Sequence, residues 1–452
     1  MRAPERRPSP RALTALAMVA AAGGLLGGGT ARASSDSSTW TRATPARPAG
    51  CQEVATGSDL QPVIDQAAEG SALCLARGEY TGPVRVPRAI TLFGPAGAVV
   101  RSTGRGTTIR LDAPGSRLLG LTVEGSGARL DTLDAAVHVG GDHAEVIGIG
   151  VRGATFGILV EKARGVLISG NEVLGPEGAS LGQRGDGIRL WETHGSTLTG
   201  NRVAGARDVV VWYSSGTLFK NNLVEHGRYG THLMYSHGCV IDSNRYMDNV
   251  VGVFLMYSRH VRLTGNVLAG SSGGAGIGVG IKECGNLHVQ KNRLVRNTTG
   301  VYIDTSPLYP EDHNIFEENS FLLGGTAVLF HKSESRNRFA RNSMRDNRSQ
   351  VTVEGGGDAR GVIWEGNEFD DYAGYDFDGD GVGDIPYELR SLSADLISRN
   401  PNLEFLRGTP ALFLVDVISR ALPLFDPKTI LVDPHPRIGR RRAAGGEGGD
   451  EG

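Results

Sequence analysis

Along most of this chain, apolar and polar residues alternate in runs of about four to six, and the runs end repeatedly at Gly-Asn or a close variant. The recurring asparagines are Asn171, Asn201, Asn222, Asn244, Asn266, Asn292, Asn319, Asn342 and Asn367, at intervals of 30, 21, 22, 22, 26, 27, 23 and 25 residues. Alternation of period two marks half-buried strands, and a phrase repeated at this interval marks stacked repeats. An immunoglobulin-like sandwich would space its strands by roughly 8–12 residues. The pattern therefore predicts an all-β fold, a right-handed parallel β-helix in which every rung gives one strand to each of several sheets. Stacked asparagines are expected at one sharp turn, because Asn tolerates the left-handed conformation and its amide can bond the Asn above and below. The longer intervals become the loops PEGASLGQRGD and TSPLYPEDHN. The solenoid is expected over 51–370. Residues 58–70 form a capping helix, with Ser58 as N-cap and Leu60, Val63, Ile64 and Ala67 on its apolar face.

Counting back from each asparagine sets the register. Thirteen positions back stand Ile158, Ile188, Val209, Thr231, Val253 and Val279, and eleven back Val160, Leu190, Val211, Leu233, Leu255 and Ile281. These mostly apolar positions, two apart, face the core. The position between them then faces outward and holds Leu159, Arg189, Val210, His232, Phe254 and Gly280. The outward position ten back holds Glu161, Trp191, Trp212, Met234, Met256 and Lys282. The string LMYS, at 233–236 and again at 255–258, thus puts Leu inside and Met outside. Tyr213, Tyr235 and Tyr257 read as a turn-packing column, and Ser214, Ser236 and Ser258 as partners for turn backbone groups.

The ends and the charge limit what such a surface is for. Arg2, Arg6, Arg7 and Arg11, a short apolar run and Ala31-Arg32-Ala33 read as an export signal over 1–33, followed by a flexible linker over 34–50. With 47 basic and 49 acidic residues, nothing points to nucleic acid as a partner. Export allows a Cys51–Cys74 disulfide, both residues lying in early strands. DFDGDGVGD places Asp376, Asp378, Asp380 and Asp384 at positions 1, 3, 5 and 9 of a calcium-type loop within 371–388, but Tyr387 stands where the bidentate Glu belongs. The segment 389–436 leaves the repeat. Its stretch 409–425 is an apolar helix signal bearing Leu412, Phe413, Ile418 and other apolar residues, fit to cap the solenoid or to dock on a membrane partner. Residues 437–452 read as a disordered tail.

Two uses of the outward column remain open. Rungs stack about 4.8 Å apart, so Met234 and Met256 are neighbours, with His232 on the same face. Two thioethers and an imidazole suit one soft ion such as Cu(I), with His237 and His260 in the turns as further ligands. Alternatively, Trp191, Trp212 and Phe254 make the stripe a covered or partner-binding surface. A secreted polysaccharide lyase, hydrolase or carbohydrate-binding module is the second class of function. It requires placed carboxylates, whereas Glu161, Glu192 and Glu283 lie on separate rungs.

RYGTHLMYS, VGVFLMYSR, GIKE, DFDGDGVGDIPYE and FLRGTPALFLVD…LPLF…LVDPHP together resemble the NosD family over about residues 55–436. That resemblance implies a non-catalytic periplasmic β-helix protein, held at the inner membrane by its partners. Those partners are the ATPase and membrane subunits of an ABC transporter, a copper chaperone lipoprotein, and nitrous oxide reductase, whose copper–sulfide centre the family helps assemble. It further makes transient Cu(I) the expected cofactor, whether bound or only passed along, and the helix at 409–425 the candidate for transporter contact.

Overall fold

The computed structural model describes residues 40–439 except 333–334, 356, 407–408 and 422–426. The export signal read over 1–33, the tail beyond 439 and the side chain of Phe413 lie outside the described residues. Three parallel sheets of 14, 13 and 12 strands run the length of the solenoid. The first sheet begins at Gln52–Val54 and ends at Ile363–Glu365; the second runs from Gly78–Thr81 to Glu368–Phe369, and the third from Val84–Val86 to Ser349–Glu354. One rung comprises Val240–Asp242, Arg245–Met247 and Val251–Met256, each pairing with its counterpart a rung away. This is a parallel β-helix, buried along its axis by the Val, Ile and Leu columns that the alternation specifies.

The asparagines form one continuous ladder on the inside of the turn between the first and second sheets. Asn171 Nδ2 donates to Asn201 Oδ1 at 2.9 Å, Asn201 to Asn222 at 2.9 Å and Asn222 to Asn244 at 2.9 Å, and so on to Asn367. Each Nδ2 also reaches a backbone carbonyl, as Asn244 does with Phe219, so both amide protons are used in a buried site. The left-handed residue, however, is the one before the asparagine: Gly170, Gly200, Asn221, Ser243, Gly265, Lys291, Glu318, Arg341 and Gly366 have φ between 53° and 65°. The ladder asparagine is chosen for its amide, and its neighbour takes the turn.

Both ends are closed. At the start, helix Leu60–Gln66 buries Leu60 and Ile64, and its N-cap is Asp59, whose side chain accepts from Gln61 N, rather than Ser58. Cys51 and Cys74 are joined, with 5.7 Å between their Cα atoms. At the far end the core becomes aromatic: Phe316, Phe339 and Trp364 stack at 4.4 and 4.7 Å, and Phe369 stacks on Tyr387 at 3.9 Å. Tyr387–Ser391 pairs antiparallel with Lys428–Asp433, and helices Leu392–Arg399 and Pro410–Ala421 are carried between these two strands.

Two stretches expected to be loose are held. Within the reading of a flexible linker at 34–50, the described residues 40–50 lie against the solenoid: Trp40 Nε1 donates to Gly200 O at 3.0 Å and Ala43 N to Gly170 O at 3.0 Å. They fit because the turn beneath them is bare; a Cβ on Gly170 would stand 2.3 Å from Ala43 Cβ, and one on Gly148 2.3 Å from Ala43 O. Within the expected disordered tail, Arg437 Nε donates to Gly366 O at 2.7 Å and Ile438 N to Gly381 O at 3.0 Å.

Candidate metal-handling site

The third sheet pairs Trp191 with Trp212, Trp212 with Met234, Met234 with Met256 and His232 with Phe254 in consecutive strands. Leu233 and Leu255 are fully buried between the rungs. The outward residues are not, however, an exposed stripe. His232 keeps 6% of its surface and Met256 5%, while Met234, Trp212 and Phe254 are half-buried. Their own neighbours cover them. The rings of Trp212, Tyr229 and Phe254 lie 5.5, 4.9 and 6.3 Å from the His232 ring, on three of its sides.

Inside that aromatic shell His232 Nε2 stands 3.2 Å from Met256 Sδ. His232 Nδ1 is buried with no hydrogen-bond partner, and so is Trp212 Nε1. Burial drives the His232 pKa down to about 4, so the imidazole is neutral at ordinary pH. Whichever nitrogen carries its proton, one of the two is left with a thioether and the other with nothing. An under-satisfied buried imidazole costs about 1–3 kcal/mol. Such a group calls for a ligand of its own. A neutral imidazole nitrogen and a thioether sulfur facing each other are a soft donor pair, suited to Cu(I) over a hard dication.

A band of charge anchors the shell. Arg228 chelates Asp208, its Nε donating to Oδ1 at 3.0 Å, and its guanidinium covers the Tyr229 ring at 4.8 Å. Arg189 and Arg207 both bind the fully buried Asp186, at 3.0 and 2.8 Å, and Arg189 lies 5.0 Å from each of the Trp191 and Trp212 ring centres. Tyr229, Asp208, Arg228 and Asp186 escaped the sequence reading. The pairing of the strands that begin at Asp208 and Tyr229 carries a bulge between Asp208 and Val210, where counting in twos loses its place. Asp186 and Arg228 stand just before their strands.

The remaining candidates separate from this centre. His237 and His260 are exposed in the turn, His237 Nδ1 accepting from Arg259 N at 3.1 Å. Among the described residues no hydrogen bond or ring contact joins either to His232, Met234 or Met256. The turn itself is tightly built: Ser214 N donates to Ser236 Oγ and Ser236 N to Ser258 Oγ at 3.1 Å, while the Tyr213, Tyr235 and Tyr257 rings stack at 5.3 and 4.7 Å. The carboxylates considered for catalysis serve singly, Glu161 on His138 at 3.1 Å and Glu192 on Trp191 Nε1 at 2.9 Å. Beyond Met256 the column turns polar, with Lys282 on Asp304 at 3.0 Å and His331 on Glu354 at 2.8 Å. Lys282 is in the column as counted from Asn292. The loop TSPLYPEDHN lengthens the count back from Asn319 and hid Asp304, and the counts from Asn342 and Asn367 slip at later turns.

Asp376, Asp378 and Asp384 bring carboxylate oxygens within 4.8 Å of one another, without Asp380, whose Oδ1 accepts from Val382 N at 2.7 Å. In helix Pro410–Ala421, Leu412 is buried, whereas Ile418 joins Leu414 and Val417 on the exposed side. Among the described residues no helix is long and apolar enough to cross a membrane.

The family model described as periplasmic copper-binding protein (NosD) matches residues 166–375, the span that holds this centre. A Pseudomonas aeruginosa protein named a probable ABC transporter binding protein NosD is 30% identical over 398 residues, 80% of this chain and 87% of its own length. The chain belongs to the NosD family. A protein of the same name from Stutzerimonas stutzeri is 29% identical, over 80% of this chain and 85% of its own. Among solved structures, the A-module of an Azotobacter vinelandii mannuronan C-5 epimerase superposes with a TM-score of 0.52 at 16% identity, over 68% of this chain and 95% of that one. A Streptomyces thermodiastaticus α-1,3-glucanase does so with 0.51 at 14%, over 72% and 71%. These two likenesses concern the β-helix alone; in family, this chain stands with NosD.

Proposed function

We propose that this chain is a periplasmic accessory protein of an ABC transporter that takes up and passes on Cu(I) for assembly of the copper–sulfide centre of nitrous oxide reductase. The family description and the relatives' name support the copper and transporter parts of this reading. The observation that carries it is the His232 Nε2–Met256 Sδ contact of 3.2 Å in an aromatic shell. Two neutral donors hold a monovalent soft ion without the charge that would make release costly, which suits a carrier. Met234, one strand pairing away, supplies a third donor. In this reading a copper chaperone lipoprotein delivers the ion, and the exposed Leu414, Val417 and Ile418 face of the C-terminal helix meets the transporter. The role is one of binding and transfer, without catalysis.

The test is titration of the exported protein with Cu(I) against a competing chelator, for wild type, His232→Ala, Met256→Leu and Met234→Leu. One ion per chain in the wild type, weakened by about tenfold or more in His232→Ala and Met256→Leu, is the expected result. Equal affinity in all four proteins would remove the ion from this centre.

A further inference from the structure

The donor pair is closed to solvent, yet a carrier has to load and unload. Accessible surfaces of only 6% and 5% on His232 and Met256 leave little room for an ion and its carrier to reach the pair, so a bordering side chain has to give way. Four half-buried side chains border the pair: Trp212, Tyr229, Met234 and Phe254. Two of them are held by an arginine, and Met234 is the third donor of the copper reading. Trp212 is gripped by Arg189 and packed on Trp191. Tyr229 lies under Arg228, which is itself clamped on Asp208. Met234 is flanked in register by Trp212 and Met256.

Phe254 differs. It sits directly beside His232 in the register, and its other strand neighbour is Gly280. A Cβ built on Gly280 would lie 2.5 Å from both Cδ2 and Cε2 of the Phe254 ring. Gly280 lies within the strand Ile277–Lys282 and is not among the residues of positive φ, so its backbone does not demand glycine. What the missing side chain provides is room, and the Phe254 ring occupies it. Interior strand positions rarely favour glycine without such a close approach.

We infer that Phe254 is the movable cover of the His232–Met256 pair and that bare Gly280 is the floor on which its ring slides aside. Phe254 is a positioning residue here, not a ligand. The inference rests on the copper reading for its purpose, but not for its test. Met256 reports accessibility by itself: hydrogen peroxide transfers one oxygen to the thioether sulfur, giving the sulfoxide and water.

Peptide mass spectrometry after peroxide treatment would follow Met256 in wild type, Phe254→Ala, Phe254→Leu and Gly280→Ala, with fully buried Met344 as internal reference. In Phe254→Ala, Met256 should oxidise at least about fivefold faster than in wild type while Met344 does not change, because only local opening has become easier. Phe254→Leu should fall between the two. Gly280→Ala should raise the Met256 rate relative to Met344, since the new Cβ pushes the ring from the place where it covers the sulfur; an unchanged rate would count against the floor. An unchanged Met256 rate in both Phe254 variants overturns the inference, and equal acceleration at Met344 does so too, because that is general loosening. Chelator competition on the same proteins keeps the two ideas apart. If Met256 responds as described but no protein binds Cu(I), the cover stands and the copper reading falls. If copper binds and neither its uptake rate nor Met256 oxidation responds to Phe254, the cover falls and the copper reading stands.

Discussion

Asp433 stands at the end of the asparagine ladder and takes both ladder donors of Asn367: its Oδ2 accepts the backbone N–H and the side-chain Nδ2 of Asn367, each at 2.9 Å. Its Oδ1 accepts from Gly366 N at 3.3 Å and His435 N at 3.1 Å. An aspartate fits here because the ladder runs in one direction, every amide donating onward, so its last member needs an acceptor with nothing left to donate. The residue sits in the strand Lys428–Asp433, 66 positions from Asn367, and so ties the C-terminal segment to the solenoid.

Replacing Asp433 by Ala leaves the backbone N–H of Asn367 and one of its two amide protons buried and unpaired, the other staying on Phe339 O. At about 1–3 kcal/mol for each such group, the loss should reach roughly 3 kcal/mol. Denaturant unfolding should show it. Amide exchange should rise first at Asn367 and in the strands Tyr387–Ser391 and Lys428–Asp433, because they form the closing end. Asp433→Asn, which keeps one acceptor oxygen, should lose less than half as much. Equal stability of Asp433→Ala and wild type would show that water replaces the carboxylate without cost.

The His232 imidazole makes the apo protein sensitive to acid. Its folded pKa of about 4 lies below the ordinary value of 6.5, chiefly because burial penalises the charged form. Above pH 6.5 it is neutral in both folded and unfolded chains and contributes nothing to the pH dependence. Between pH 6.5 and about 4 the unfolded chain binds a proton that the folded chain refuses, so stability falls as pH falls, by up to about 3 kcal/mol. His138, whose pKa is also lowered by burial, acts in the same direction. The quantity to measure is therefore the difference between wild type and His232→Phe in unfolding free energy, at pH 7.5 and at pH 4.5. The gap should move in favour of the variant at the lower pH; a gap independent of pH would mean that His232 is protonated in place.

Why the register was legible and the pocket was not follows from what alternation encodes. Counting in twos from Asn244 and Asn266 places Leu233 and Leu255 inside and Met234 beside Met256, and the sheet pairs them so. Alternation tells which face a residue takes, but not what lies over that face. His232 and Met256 point outward and are still buried, because Trp212, Tyr229 and Phe254 are long enough to close over them. Glycine is ambiguous in the same way. Gly280 reads as a plain strand residue until the ring of Phe254 is found resting on it, and Gly170 as a plain turn residue until Ala43 is found crossing it.

That crossing gives a controlled comparison. Gly170 and Gly200 occupy equivalent turns with φ of 61° and 62°, so an alanine at either suffers the same backbone strain, about 1–2 kcal/mol. Only at Gly170 would the new Cβ strike the N-terminal arm, 2.3 Å from Ala43 Cβ; at Gly200 its nearest neighbour is 4.0 Å away. Gly170→Ala should therefore free the arm and Gly200→Ala should not. Trypsin cleavage after Arg42, followed by intact-mass analysis, should be faster in Gly170→Ala alone. Similar cleavage of the two variants would show that the arm is held elsewhere.

The acidic loop near the end of the solenoid is the last element whose chemistry can be checked directly. Asp376 accepts from Gly379 N at 2.6 Å and Gly381 N at 3.0 Å, and Asp384 from Phe377 N at 2.6 Å, so backbone donors already shape the loop. Asp376, Asp378 and Asp384 nevertheless crowd three carboxylates within 4.8 Å, and their mutual repulsion is what a hard cation relieves. Millimolar Ca²⁺ should raise the thermal midpoint by a few degrees, since binding at about 100-fold over Kd is worth about 2.7 kcal/mol. Mg²⁺ should do less, because it demands a tighter octahedron of ligands. The double variant Asp376→Asn, Asp384→Asn should lose the calcium response and be no less stable than wild type in chelator, as removing two like charges offsets the weaker acceptors. A calcium response that survives the double variant would place the ion elsewhere and leave these aspartates as turn formers.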